Sequence, residues 1–105
     1  MNNEIDFYNT NKNIYEFSDP NIVQKRAFKL LGKDAKIAFS PRKDKKYVIY
    51  NPITNKYIHF GEMGYSDYTK HQDKERQRRF KLRNKKWANS EPYTPSFLSY
   101  YLLWT

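Results

Sequence analysis

At 105 residues the chain is the size of a single domain, with room for one modest core and little for a deep enzyme cleft. Ten Tyr and seven Phe exclude the aromatic-poor composition of a disordered chain, and the lack of Cys excludes disulfides, thiolate metal sites and a Cys nucleophile. The formal net charge of +9 is concentrated: residues 41–87 hold fourteen Lys or Arg against five Asp or Glu, while residues 1–40 hold six against five. A field this one-sided attracts polyanions, whether nucleic acid, an acidic protein face or an anionic membrane.

In chain order, residues 1–18 are Asn-rich with scattered aromatics (Phe7, Tyr8, Tyr15, Phe17) and read as an extended N-terminal arm ordered by lying on a neighbouring subunit. No basic segment followed by an apolar run opens the chain, so no signal peptide is expected. No stretch reaches the roughly 20 apolar residues that cross a bilayer. Residues 19–105 read as one α+β domain. Asp19-Pro20 is a helix start, an N-cap acid followed by Pro at the first position. The helix should run to Leu31, burying Val23, Ala27, Leu30 and Leu31 and stopping at Gly32.

Three strand-like runs follow: AKIAFS (35–40), KYVIY (46–50) and KYIHF (56–60). The link NPITN reads as a hairpin turn and PRKDK as a basic loop, so the simplest arrangement is a three-stranded antiparallel meander covered by helices. Gly61 and Gly64 break the third strand. GYSDYTKH reads as a loop with Tyr65 and Tyr68 packed inward, and Asp67 or Thr69 capping the basic helix that follows. A basic helix from about Asp73 to Lys86 follows, and SFLSYYLLW (96–104) forms a short C-terminal helix. That helix is apolar almost all round, which predicts burial in this fold or against a partner, with Phe97, Tyr100, Tyr101, Leu103 and Trp104 as candidate docking residues.

The basic helix is the main functional candidate. Lys70, Lys74, Arg76, Arg78, Arg79, Lys81, Arg83, Lys85 and Lys86 fall between positions 70 and 86, opposed only by Asp73 and Glu75 in the first turn. Like charges at i,i+4 cost about 0.2–0.5 kcal/mol per pair, strain that a polyanion would relieve. Arg makes bidentate contacts with phosphate. No zinc-finger spacing, helix-turn-helix or RNA-binding aromatic consensus is present, so contacts would be to phosphates and tolerant of sequence.

Catalysis is not expected. His59 and His71 stand apart, with no H-E-x-x-H, no G-x-S-x-G and no phosphate-binding glycine loop, and no metal or cofactor is called for. VIYNPITNKYIHFG faintly resembles the paired strands of GIY-YIG nucleases, but lacks Gly before the first Ile-Tyr and has His59 after Tyr57-Ile58.

A broader likeness spans residues 45–104. Lys56-Tyr57-Ile58-His59-Phe60-Gly61, then Gly64-Tyr65-Ser66-Asp67-Tyr68-Thr69-Lys70-His71, then Asp73, Arg76, Arg79, Phe80, Arg83 and the closing Leu102-Leu103-Trp104 resemble a family of small basic proteins. Large double-stranded DNA viruses, including giant algal and amoebal viruses, and some phages encode them. NPITN is shorter than the Lys-rich link common in that family, and the N-terminal arm lies outside the likeness. The resemblance implies viral origin without an activity or a catalytic residue. Two functions remain, and an ordered arm favours the first, with the second as the alternative. One is a virion structural protein (minor capsid, cement or head-associated) that contacts other viral structural proteins and packaged DNA, located in the virion and in the host cell during assembly. The other is a soluble, sequence-nonspecific nucleic-acid-binding protein of viral replication or packaging. Neither calls for a membrane or a small-molecule substrate.

Overall fold

Register in the sheet sets the position of everything around it. In the computed structural model, which describes residues 13–105, strands β1 (Ile37–Phe39), β2 (Lys45–Asn51) and β3 (Lys56–Glu62) lie side by side in that order, all antiparallel. The expected meander is the observed one, and with the helices around it the fold is α+β. Phe39, Tyr47 and Phe60 form one cross-strand row, and Ile37, Ile49 and Ile58 the next. Side chains alternate between faces along a strand, so both rows point the same way, into the core. Tyr47 is fully buried, its ring 5.5 Å from Phe60 and 6.3 Å from Phe39. Burying one such side chain stabilises by roughly 1.5–3 kcal/mol. Ala38, Val48 and His59 occupy the row between on the other face, with His59 Nδ1 2.7 Å from Ser40 Oγ. NPITN makes the hairpin turn: the Asn55 amide donates to the Asn51 carbonyl at 2.8 Å, with Asn55 left-handed at φ 59°.

Helix α1 (Pro20–Leu31) starts where Asp19 predicts, its carboxylate accepting from the Asn21 and Ile22 amides. Val23 and Ala27 are buried, but Leu30 is 45% exposed, a correction to the expected face. At 100° per residue Leu30 falls 20° to one side of Val23, whereas Ala27 and Leu31 fall 40° and 80° to the other. The buried stripe is centred on the Ala27 side. Gln24 ties α1 to β1, donating to the Ala35 carbonyl and accepting from the Ile37 amide, both at 2.9 Å.

Of the segment read as an arm, residues 1–12, with Phe7 and Tyr8, lie outside the described residues. Residues 13–18 are part of the packed domain and not an extension from it. A single 3-10 turn (Ile14–Glu16) buries Ile14 in the core and sets the Tyr15 ring edge-on to Phe39 at 6.1 Å.

After β3 the glycines act differently from expectation. Gly61 does not end the strand, which continues to Glu62. Its φ is +84°, and a Cβ there would sit 3.0 Å from Leu103 Cδ1 and 3.2 Å from the Lys46 chain. Gly61→Ala should therefore cost about 1–3 kcal/mol through left-handed strain and crowding, lowering Tm by roughly 5–15 °C in a thermal melt. Tyr65 is 70% exposed, against the expectation that it packs inward; Tyr68 is buried as expected. The stretch read as a loop contains a one-turn helix, α2 (Tyr68–His71), ended by Gln72 at φ 57°; Asp67 caps this turn and not the basic helix, a correction to the expected cap.

The basic segment forms α3 (Lys74–Arg83), capped by Asp73, then a 3-10 turn (Lys85–Asn89) carrying Trp87. Asp73 accepts from the Arg76 and Glu75 amides, and these bonds hold its carboxyl below the usual carboxylate range. The C-terminal segment is α4 (Pro95–Leu98) continuing as a π-helical turn, Ser99–Leu103. It contacts both α1 and β3 and supplies Leu98, Leu102 and Leu103 to the core. Arg26 donates to the Leu102 carbonyl at 3.1 Å, and Gln77 to that of Trp104 at 3.0 Å.

This placement removes Leu103 from the docking candidates and leaves Phe97, Tyr100, Tyr101 and Trp104 half-buried in the domain. Leu103 is 1% exposed, and Trp104 stacks on Phe80 with ring centres 4.2 Å apart. Tyr101 packs on Phe97 at 4.8 Å and bonds the Ala88 carbonyl at 2.8 Å; Tyr100 packs on Tyr101 and carries Lys81 above its ring at 5.3 Å. The apolar helix closes its own domain because the sheet and α1 alone leave a greasy surface that needs cover.

Candidate nucleic-acid interface

The turn between β3 and α3 is held by a buried polar network that the sequence reading missed. Lys46 points from β2 into the domain and pairs with Asp67, Nζ to Oδ2 at 3.0 Å, with side-chain exposures of 2% and 1%. Asp67 Oδ1 accepts from the Thr69 amide at 3.0 Å and from the Thr69 hydroxyl. Thr69 Oγ1 accepts from the Asp19 amide at 2.8 Å and lies 3.2 Å from Ser18 Oγ, which accepts from the Tyr47 hydroxyl at 2.6 Å. Burial lowers the Lys46 pKa, an effect that Asp67 partly offsets, and burial pushes the Tyr47 hydroxyl well above its ordinary value. Nothing local marks Lys46 as buried, because it opens a strand where a charge reads as an edge. The available signal was the short polar run Ser66-Asp67-Tyr68-Thr69, whose Asx pattern caps a turn.

Anchored this way, α3 presents its charges in two flanks. Gln77, Phe80 and Asn84 turn towards the domain and are partly buried, so the cations are sorted to either side. Arg76, Arg79 and Arg83 lie along one flank and line a cleft of about 340 Å³ with Phe80 and Trp87. Tyr65, Gly61, Leu103 and Trp104 supply the rest of its apolar wall, and Lys46 its depth. Glu62, also in the lining, is bound by Lys45 at 2.7 Å. Phe80 meets Trp87 edge-on at 5.9 Å while stacking on Trp104, so the three rings brace one another.

Lys74, Arg78 and Lys81 fall on the opposite flank. Lys74 sits over the Tyr68 ring at 5.8 Å and Lys81 over Tyr100. Arg78 pairs with Glu75 at 2.5 Å, and Arg79 reaches the same carboxylate only at 4.0 Å. Among the described residues Arg76 and Arg83 make no ion pair. Lys70, on α2, and Lys85 and Lys86, after α3, are exposed and extend the positive surface at either end. The structure thus brings Arg76, Arg79 and Arg83 together at one opening and leaves the other six cations distributed around it. Tyr65, Trp87 and Trp104 are site residues that charge counting alone did not reveal.

His71 joins no ligand cluster. Its ring lies 5.2 Å from Trp104, its Nδ1 accepts from the Asp73 amide at 2.9 Å, and its Nε2 is buried with no partner among the described residues. Burial and the nearby Arg76 lower its pKa and favour the neutral ring. Among the described residues no group of three or more His, Cys, Asp or Glu is placed to hold a metal, and no helix is long and apolar enough to cross a membrane.

Residues 35–84 match a family of unknown function (DUF5754). The matched stretch runs from β1 to the end of α3, so it includes Lys46, Asp67, Thr69 and the three cleft arginines but neither Trp87 nor Trp104. No curated protein and no solved structure matches the chain.

Proposed function

We propose that this protein binds nucleic acid without sequence preference, through phosphate contacts from α3. The observation that carries this reading is the row of Arg76, Arg79 and Arg83 along one flank, with Glu75 the only described carboxylate that touches the cations of the helix. Guanidinium groups set side by side at successive turns suit the repeating anions of a nucleic-acid backbone better than a single acidic patch. The arginines are exposed, and of the three only Arg79 comes near a described carboxylate, so most of their charge is open to a ligand. No catalytic step is part of this reading. With the resemblance to proteins of large double-stranded DNA viruses, its setting is the replication or packaging of a viral genome in the host cell.

Salt titration tests it. Binding of fluorescent random-sequence oligonucleotides should weaken steeply with salt, log Kobs against log salt having a slope of roughly −2 to −4 if three to five cations engage phosphates of a single strand. Affinities for unrelated sequences should agree within a few-fold. A flat response would remove phosphate contacts from the account.

A second reading, a virion structural component, rests on a different surface. The β2–β3 hairpin exposes Ile53 (83%), Tyr57 (67%) and Tyr50 (40%), with the two Tyr rings 5.1 Å apart. A contact between this hairpin and a neighbouring viral protein would cover them, in place of the C-terminal helix. Protein retained stoichiometrically in purified, nuclease-treated particles supports it, and absence there overturns it.

A further inference from the structure

A helix that bound only phosphates would need no aromatic cleft beside its arginines. Yet the flank carrying Arg76, Arg79 and Arg83 opens onto one. The cleft of about 340 Å³ lies at the low end of the range for small-ligand sites, room for one ring system and its sugar but not for a run of them. Its lining carries the rings of Phe80, Trp87 and Trp104, and Tyr65, at 70% exposure, adds a fourth aromatic side chain open to solvent. Phe80 is held between Trp104 and Trp87, so the floor cannot collapse to fill the space. The one carboxylate in the lining, Glu62, is bound by Lys45. The opening therefore combines a flat apolar surface with three guanidiniums, which matches a nucleobase joined to phosphate.

We infer that the cleft takes one unstacked base of a single-stranded nucleic acid, its flanking phosphates held by Arg76, Arg79 and Arg83. This rests on the phosphate-binding reading above and adds strand selectivity to it. In an intact duplex the bases are stacked and paired, so none is available to enter, whereas in a single strand base–aromatic stacking is gained at little cost. Stacking accepts every base, which keeps binding tolerant of sequence.

Both tryptophans of the chain, Trp87 and Trp104, line the cleft, so intrinsic fluorescence reports its occupation directly. The test uses three ligands of equal length, oligo-dT, the same oligomer with abasic sites throughout, and a blunt duplex, with thymidine monophosphate as a fourth. The expected result is quenching by oligo-dT, with affinity roughly 5- to 100-fold above that of the abasic oligomer, and no quenching by the duplex. Tyr65→Ala, at an exposed position that leaves the fold intact, should lose much of that margin while keeping abasic affinity. Equal binding of oligo-dT and the abasic oligomer overturns base insertion and leaves phosphate binding standing. Failure of every oligomer to bind overturns both. Quenching by the monophosphate at the concentrations that suffice for oligo-dT would assign the cleft to a free nucleotide and overturn the strand assignment.

Discussion

Asp67→Ala should lower the melting temperature by about 15 °C or more. The carboxylate is buried and holds three groups at once: the Lys46 ammonium, the Thr69 amide and the Thr69 hydroxyl. Taking it away leaves Lys46 buried with no counter-charge. Breaking one side of a buried pair costs about 3–5 kcal/mol, and each kcal/mol shifts Tm by roughly 4–8 °C at this size. Lys46→Met should be milder, because Asp67 keeps both Thr69 donors and the methionine fills the same channel. Asp67→Asn isolates the charge. It preserves an acceptor for Thr69 but strands the ammonium, whose pKa burial already lowers. A lysine whose folded pKa lies below its unfolded value binds fewer protons folded than unfolded, so stability rises with pH across that interval. The Tm of Asp67→Asn should climb between neutral pH and about pH 10 relative to Lys46→Met/Asp67→Asn, which carries no buried amine. Differential scanning fluorimetry of the set decides it: a shift of under 3 °C for Asp67→Ala would mean that the pair is solvated.

The network explains why some of the molecule could be read from its sequence and some could not. Asp19-Pro20 announced its helix because capping is a local interaction, complete within three residues, whereas the cap of the basic helix was read as Asp67 or Thr69 and is Asp73. The strands were legible because the rows Phe39–Tyr47–Phe60 and Ile37–Ile49–Ile58 arise from alternation along each run. Lys46 with Asp67 was not, since the partners are 21 residues apart and each looks solvated alone. Tyr65 and Trp104 misled in opposite directions. Both are aromatic and flanked by polar and apolar neighbours alike, and only the placement of α3 decides that Trp104 stacks inside while Tyr65 stands out. The C-terminal helix was correctly read as needing burial, but sequence could not say against what. Its cover proved to be α1, β3 and α3 of the same chain.

The cleft has the same origin. No single motif encodes it: Gly61 clears space at the strand end, Leu103 and Trp104 arrive from the C-terminus, and the arginines come from α3. Residues separated by up to 58 positions (Lys46 to Trp104) meet there only because the Lys46–Asp67 pair fixes the turn that aims α3. Stability and binding are therefore coupled through that turn. Asp67 variants should lose affinity by unfolding, whereas variants of the arginine flank should lose it while folded.

That distinction gives the second large effect. Arg76→Gln, Arg79→Gln and Arg83→Gln combined should weaken oligonucleotide binding at least 100-fold at low salt and reduce the salt slope by about 2, three lost contacts at roughly 0.7 each. The loss should be similar for every sequence, since phosphates carry none. Tm should hold within a few degrees, because Arg79 is more than half exposed and these side chains anchor no buried group in the described structure. The matched control removes four charges, Lys74, Arg78 and Lys81 from the other flank and Lys85 from the turn after the helix, each to Gln. If the helix acted as a uniformly charged rod, that quadruple change would be the more damaging, having removed more charge. Oriented contacts predict the reverse. Arg78 is already engaged by Glu75, and Lys74 and Lys81 sit over Tyr rings of their own domain, so their loss should cost only long-range attraction, a few-fold that vanishes as salt screens it. A larger loss from the quadruple than from the triple, measured by anisotropy at matched ionic strength, would move the interface to the opposite side of α3.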